Sequence, residues 1–402
     1  VAKTRIALER LQDAKDMLRK LREAHPNDVQ VAFWMGRAEE LLGDKAAAEA
    51  LYAEAIRLGG TRPEVVEPYI ALSQLMAAEG RTAEAEAKLA EARRQLPGSS
   101  AIHKALGDMY LAAGRYEAAR GELEAARQID PDDLSALFKL GVTLRHMKRY
   151  DESAAMFDAV AAADKEYPGL ALERGLLYEA SNRTHEALEY YQQALAKAPD
   201  DPDLMLRVGS TEVAAGHAEQ AVEILRKVLQ KRPNSAEANH FLGRALLLKG
   251  ANLAEALRYL TRATEIDPNR AEYHLYRGWA ANEAGQPAVA RDSLLQALAL
   301  DKQLADAHWQ FGVMLRKQGA VVDAIRHLQK ALELRPTRYE AYAALAECYE
   351  ERADWAEAEA AWRKAIQGDP NRAYWRYRLG KMLGPQRGLN ELELAVQLEE
   401  QK

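Results

Sequence analysis

Cysteine is nearly absent: Cys348 is the single one among 402 residues. No internal disulfide can form, and the redox compartment stays open. No charge sign dominates either, with 55 basic and 61 acidic residues interspersed to a net −6. A phosphate-binding surface needs a basic patch, so nucleic acid is not an expected partner. No apolar run approaches the length that spans a bilayer, so direct membrane insertion is not expected. No secretory signal is visible, and the first residue is Val1 instead of Met. The chain therefore reads as a processed or excised piece, with the cytoplasm expected and the periplasm left open.

Catalytic signatures are missing too. There is no G-x-x-x-x-G-K, no G-x-G-x-x-G, no H-E-x-x-H and no C-x-x-C. His185-Glu186 is followed by Glu189, so the second imidazole of a zinc helix is lacking. Asp200, Asp201 and Asp203 have a metal-like look, but acidic residues at a helix N-terminus account for them. No enzyme activity, metal or cofactor is expected of this chain.

What is present is a period. Gly107, Gly141, Gly175, Gly209 and Gly243 follow one another at intervals of 34 residues. Twelve residues after the first four stand Ala119, Ser153, Ala187 and Ala221, and sixteen after stand Leu123, Phe157, Tyr191 and Leu225. Pro131, Pro199 and Pro233 close their repeats. Such a period marks one supersecondary unit copied in tandem, and overrides the two or three globular domains that length alone suggests. Within residues 100–133, Leu106, Gly107, Tyr110 and Leu111 recur at helical spacing until Gly114. Ala118, Ala119, Leu123, Ala126 and Ile129 then form a second helical run ending at Asp130-Pro131. Each unit is thus two amphipathic helices and a tight turn. The small residues let the helices cross closely, the large side chain fills the space beside them, and proline ends the second helix.

This pattern resembles the tetratricopeptide repeat (TPR) family over nearly the whole chain. The resemblance implies an all-α, right-handed superhelical solenoid of helix-turn-helix hairpins. Residues 1–26 read as a partial repeat or N-terminal helix, with one helix over 3–24. Residues 27–370 read as ten repeats. Residues 371–402 read as a partial repeat and a C-terminal capping helix, starting near Asn390. Departures from regularity are the extra Thr61–Pro63, the added residue at Gly250-Ala251-Asn252, and Leu392 where alanine is expected.

In TPR proteins the first helices line the concave side, so positions three before, one after and four after each small residue should share that face. From Phe138, Val142, Leu172, Leu176 and Leu206 to Val213 the face is mostly aliphatic. His240, Arg244, Leu275, Trp279, Trp309 and Val313 follow, with Phe241 and Tyr276 one residue to the side. Large apolar patches mark interaction sites, and Trp, Tyr and Arg dominate binding energy. The alternative is that these side chains pack on one another between repeats. Charges on the same face read as structural rungs: Arg145 to Glu179, Arg316 and Lys317 to Glu350 and Glu351, and Glu347 to Lys381. His103, His274 and His308 occupy one slot, four residues before the small residue, and Cys348 a small-residue slot, which argues for packing.

The resemblance implies a non-catalytic scaffold whose partner is an apolar or amphipathic protein or peptide segment held in the concave groove. Its oligomeric state stays open. Two other roles remain: targeting arm of a larger enzyme, or structural subunit of a bacterial pilus, secretion or polysaccharide-export machine. The Lys/Asn/Arg set of carboxylate-clamping co-chaperones is missing, and Asn282 alone does not make an asparagine ladder.

Overall fold

The computed structural model describes residues 11–250 and 252–400, and the described residues contain helices and turns but no strand. The chain divides into two compact units, Val1–Tyr190 and Tyr191–Lys402.

The first unit starts with α1 (Leu11–Ala24), whose Ala14 and Leu18 bury against Ala38. Residues 3–10 of the expected first helix lie outside the described residues. Helical hairpins follow: α2 (Val29–Leu42) with α3 (Lys45–Gly59), α4 (Val66–Ala78) with α5 (Thr82–Gln95), and α6 (Ser100–Ala112) with α7 (Tyr116–Ile129). Next come α8 (Leu134–His146) with α9 (Tyr150–Ala163), then α10 (Leu170–Ala180) leading into α11 (Thr184–Lys197), where the unit boundary falls. The three extra residues near Thr61 feed a short 3-10 turn, Pro63–Val65, whose Val65 is wholly buried.

The second unit pairs α12 (Pro202–Ala215) with α13 (Ala218–Lys231), α14 (Ala236–Lys249) with α15 (Leu253–Ile266), and α16 (Ala271–Glu283) with α17 (Pro287–Leu300). It continues with α18 (Ala305–Lys317) and α19 (Val321–Leu334), then α20 (Tyr339–Glu351) and α21 (Trp355–Gly368), and ends on α22 (Ala373–Glu400). Within α22, Gly384 leaves helical geometry (φ 74°, ψ 177°), so the last segment starts at Pro385 and not near Asn390. A proline costs nothing at a first helical position, which is why the new segment begins there.

Local chemistry sets these boundaries. The carboxylates of Asp28, Asp133 and Asp201, and the hydroxyls of Ser99 and Ser235, accept hydrogen bonds from the free N–H groups that open α2, α8, α12, α6 and α14. Each such cap is worth about 0.5–2 kcal/mol. At the other end, the turn between the two helices needs one residue of positive φ, supplied by glycine at positions such as Gly114, Gly216 and Gly319.

Packing follows the period. A Cβ added at Gly107 would stand 2.6 Å from Leu123 Cγ, and one at Gly312 would stand 2.7 Å from Leu328 Cγ. The large side chain sixteen residues on therefore lies directly over the small one. Ala119, Ala187 and Ala221 are wholly buried. Ser153, in the same column, stays buried because its hydroxyl donates to the Gly141 carbonyl at 2.8 Å. Within each unit the second helix of a hairpin packs on the next first helix, and successive first helices also touch. The first helices thus form a continuous layer in each unit.

Candidate functional site

The positions three before, one after and four after the small residue sit on this first-helix layer. In the first unit, Phe138 and Val142 on α8 and Leu172 and Leu176 on α10 are all half-buried. Phe138 rests against Phe157 and Tyr167, with ring centroids 5.8 and 5.1 Å apart.

In the second unit Leu206 on α12 is half-buried and Val213 buried. Beyond them the face becomes a strip of contacting rings carried by α14, α16 and α18. His240 is buried, 1% exposed, beneath Phe241, Tyr273 and Tyr276 at centroid distances of 5.2, 4.6 and 5.2 Å. Tyr276 stacks on Trp279 at 5.7 Å, and Trp279 meets Trp309 edge to face at 5.7 Å. Leu275 is buried, whereas Phe241, Tyr276, Trp279, Trp309 and Val313 keep part of their surface open. These rings do pack on one another between hairpins, and their outer surfaces remain accessible.

Two arginines frame the strip. Arg244 lies 4.3 Å over the Tyr276 ring and 5.4 Å over Phe241, and pairs with Glu272 at 3.0 Å. Arg338, in the loop before α20, lies 4.0 Å over Trp309 and pairs with Asp306 at 3.1 Å. A guanidinium over an aromatic face is worth roughly 0.5–2 kcal/mol, more as water is excluded. Both arginines are thus immobilised at the rim. Burial holds His240 below the usual histidine value. Its Nε2 is 3.6 Å from Glu272, beyond hydrogen-bond length. His240 is therefore floor, not contact surface. Arg338 and Asp306 were not legible from spacing, because neither occupies the repeating first-helix positions.

One charged rung joins partners that spacing suggests, Arg316 and Glu351, and the others take different partners. Arg145 pairs with Glu173 at 3.0 Å. Arg316 reaches both Glu351 at 3.0 Å and Glu347 at 2.8 Å, whereas Lys317 turns back to Glu283 at 3.1 Å. Glu350 pairs with Arg378 at 2.6 Å. Glu347 meets Arg378 at 3.5 Å, and Lys381 instead lies near the Tyr377 ring.

The remaining chemistry-bearing residues have structural work. The histidine slot makes one repeated bond: Nε2 of His103, His274 and His308 lies 3.2, 2.8 and 3.2 Å from the carbonyl oxygen six residues back. Asn239 and Arg376, in the same slot, donate to Pro233 and Pro370 at 3.3 and 2.8 Å. In these five repeats the slot ties the first helix to the loop that precedes it. Asp201 caps α12, Asp200 pairs with Lys231 at 2.9 Å, and Asp203 pairs with Arg232. No group of three or more metal-ligating side chains converges among the described residues. Cys348 is wholly buried, and burial pushes its thiol up to about 12. No described helix is long and apolar enough to cross a membrane.

Comparison with known proteins follows the same period. One model described as tetratricopeptide repeat matches residues 76–141, 110–175, 178–238, 212–280 and 315–381, and a second so described matches 2–63 and 277–339. No curated protein matches significantly. Among solved structures, the Cut9–Hcn1 hetero-tetramer of the APC/C is 14% identical over 100% of this chain and 93% of that one, with a TM-score of 0.46. The human IFIT1 dimer with m7Gppp-AAAA is 17% identical over 93% and 89%, with a TM-score of 0.47. A tetratricopeptide repeat protein from Parabacteroides merdae is 16% identical over 62% and 97%, with a TM-score of 0.46. Tetratricopeptide repeats are generally protein–protein interaction scaffolds and are typically non-catalytic. With more than half of its length matched by the repeat models, the chain belongs to the tetratricopeptide repeat family.

Proposed function

We propose that the chain is a non-catalytic scaffold that receives an apolar or amphipathic segment of a protein partner on its first-helix face, as part of a multiprotein assembly. In this reading residues 27–370 are ten repeats between a partial repeat or helix at 1–26 and a partial repeat with a capping helix at 371–402. The first helices line its concave groove.

One observation carries the reading: the half-open strip Phe241–Tyr276–Trp279–Trp309, framed by Arg244 and Arg338. Rigid rings lose little conformational freedom when a partner covers them, so burial of their outer faces converts efficiently into affinity. Because Arg244 and Arg338 already have carboxylate partners, they hold the rings in place and leave recognition mainly to apolar contact. In the first unit Phe138, Val142, Leu172 and Leu176 offer an aliphatic stretch on that unit's own first-helix layer.

Selection of peptides from a displayed random library on the immobilised chain tests the reading. Winning sequences should be rich in aromatic and aliphatic anchors, and Trp279→Ala should reduce their retention. Winners without apolar anchors, or retention indifferent to that substitution in folded protein, would overturn it.

A further inference from the structure

In the first unit, α4, α5 and α6 enclose a cavity of about 590 Å³. Gln74, Ala77 and Asp108, three of the first-helix face positions, stand at its wall. Small residues make it. Ala77, four residues after the small position of its repeat, and Ala105, two before the next small position, meet there at the junction of two hairpins. The same two positions are large at two junctions of the second unit. Val213 and Phe241 pack in one apolar cluster there, and Leu247 and Tyr276 in another. A junction of this kind therefore holds an aromatic ring and an aliphatic group. In the first unit the chain supplies neither.

The wall that remains is suited to a ring. Leu89 and the Met109 thioether give it apolar surface, and a thioether beside an aromatic ring is favourable. The Tyr110 ring is covered by Arg115, whose guanidinium lies 4.4 Å from its centroid and grips Glu86 through both terminal nitrogens, at 2.7 and 3.1 Å. That charge pair is satisfied within the wall, so an occupant need carry no charge to meet it. Two acceptors differ. Gln74 offers its amide oxygen, and Asp108 holds Lys139 through Oδ2, which leaves Oδ1 to accept from another donor.

We infer that this cavity is a docking pocket for a tryptophan side chain of a protein partner. One indolylmethyl group carries as many heavy atoms as Leu247 and Tyr276 carry beyond alanine, so it fills the place that Ala77 and Ala105 leave. A leucine side chain or a phenyl ring is smaller and brings no donor. The indole N–H, which needs a partner when buried, donates to Gln74 or Asp108. The pocket rests on the reading of the chain as a scaffold for protein segments, but it shares no residue with the aromatic strip of the second unit.

The probe is a short capped peptide with a single fluorotryptophan among glycines, titrated with the whole chain and followed by fluorine NMR. Saturable binding is expected, with displacement by the unlabelled tryptophan peptide. The same peptide carrying leucine or phenylalanine should displace it about tenfold less well or worse, a gap of roughly 1.4 kcal/mol. Ala105→Phe supplies the ring from the chain itself, so it should weaken binding about tenfold or more while melting stays at or above that of the wild type. Ala83, also in the wall, is exposed, so Ala83→Leu is a second obstructing variant that the fold tolerates. Trp279→Ala should leave the probe's affinity unchanged, which separates failure of the pocket from failure of the strip. The inference is overturned if binding does not saturate, if the leucine peptide displaces the probe equally well, if affinity survives both obstructing substitutions, or if Trp279→Ala abolishes it. Self-association of the chain that Ala105→Phe abolishes would also overturn it, by assigning the pocket to Trp355 of a second copy, a side chain 58% exposed.

Discussion

His308 and His327 meet with their Nδ1 atoms 3.0 Å apart, joining the two helices of one hairpin. The Lys302 carbonyl can only accept, so the Nε2 of His308 carries a proton and, in the neutral ring, its Nδ1 is a bare acceptor for the Nδ1–H of His327. Burial holds both rings below the usual histidine value, and His308 pushes His327 further in the same direction. Lys330 and Arg326 add to the lowering, while Asp323 opposes it at His327.

A folded-state value below the unfolded one means that protons favour the unfolded chain. The contribution is fully present above the unfolded value of about 6.5 and is lost as pH falls below it. The melting temperature should therefore drop between about pH 7 and pH 5, and His327→Gln should flatten that part of the profile. Superimposable profiles for the two proteins would remove the pair as a cause.

The turn column offers a stabilising change. Most repeats place glycine seven residues after the small position, but Lys148, Asn182 and Ala353 occupy it with φ of 60°, 58° and 61°. A residue with a Cβ pays roughly 1–2 kcal/mol in this region, offset in part by glycine's greater freedom when unfolded. Ala353→Gly should raise stability by roughly 1 kcal/mol, and Gly114→Ala should lower it by a similar amount, both read from denaturation midpoints. A midpoint that falls for Ala353→Gly would contradict the assigned turn.

The helix crossings can be tested by overpacking. Ala221 is wholly buried in the second-helix column. Ala221→Leu should cost about 1–3 kcal/mol. An unchanged denaturation midpoint would mean that the crossing lies elsewhere.

Cys348 should be inert. Its thiol is wholly buried and pushed up to about 12, so almost no thiolate exists near neutral pH. A thiol-reactive disulfide reagent should label it only after denaturant is added. Rapid labelling of the native protein would show an opening of α20 that the packing does not allow.

The hairpins were legible because packing repeats with the sequence: Gly107 and Leu123 hold the same relation as Gly312 and Leu328. The glycine turn column was equally readable, since Gly114, Gly216 and Gly319 mark it at constant offset. Charge pairing was readable only in part, at Arg316 and Glu351. A spacing of 34 aligns equivalent positions, yet Arg244–Glu272 and Arg145–Glu173 are each 28 residues apart. The end of one first helix meets the beginning of the next, and that lateral offset is a property of helix packing that no single repeat encodes. His240 illustrates the same limit within the site. Its position matches that of Trp309, but the neighbouring Tyr273 and Tyr276 roof it over. Exposure depends on which side chains the adjoining helix brings, and the period leaves those free to vary.

The central claim is that the outer faces of Trp279 and Trp309 hold the partner segment. Its most direct test is the affinity of a library-selected peptide for the wild-type chain, for the double variant Trp279→Ala/Trp309→Ala, and for Arg258→Ala, whose side chain is 71% exposed on α15. Truncating a central aromatic anchor commonly costs about 2 kcal/mol or more, which is roughly thirtyfold in affinity. The account predicts a loss of at least that size for the double variant with melting preserved, and little change for Arg258→Ala. Unchanged affinity in the double variant, or a loss that appears only where the protein unfolds, would contradict it.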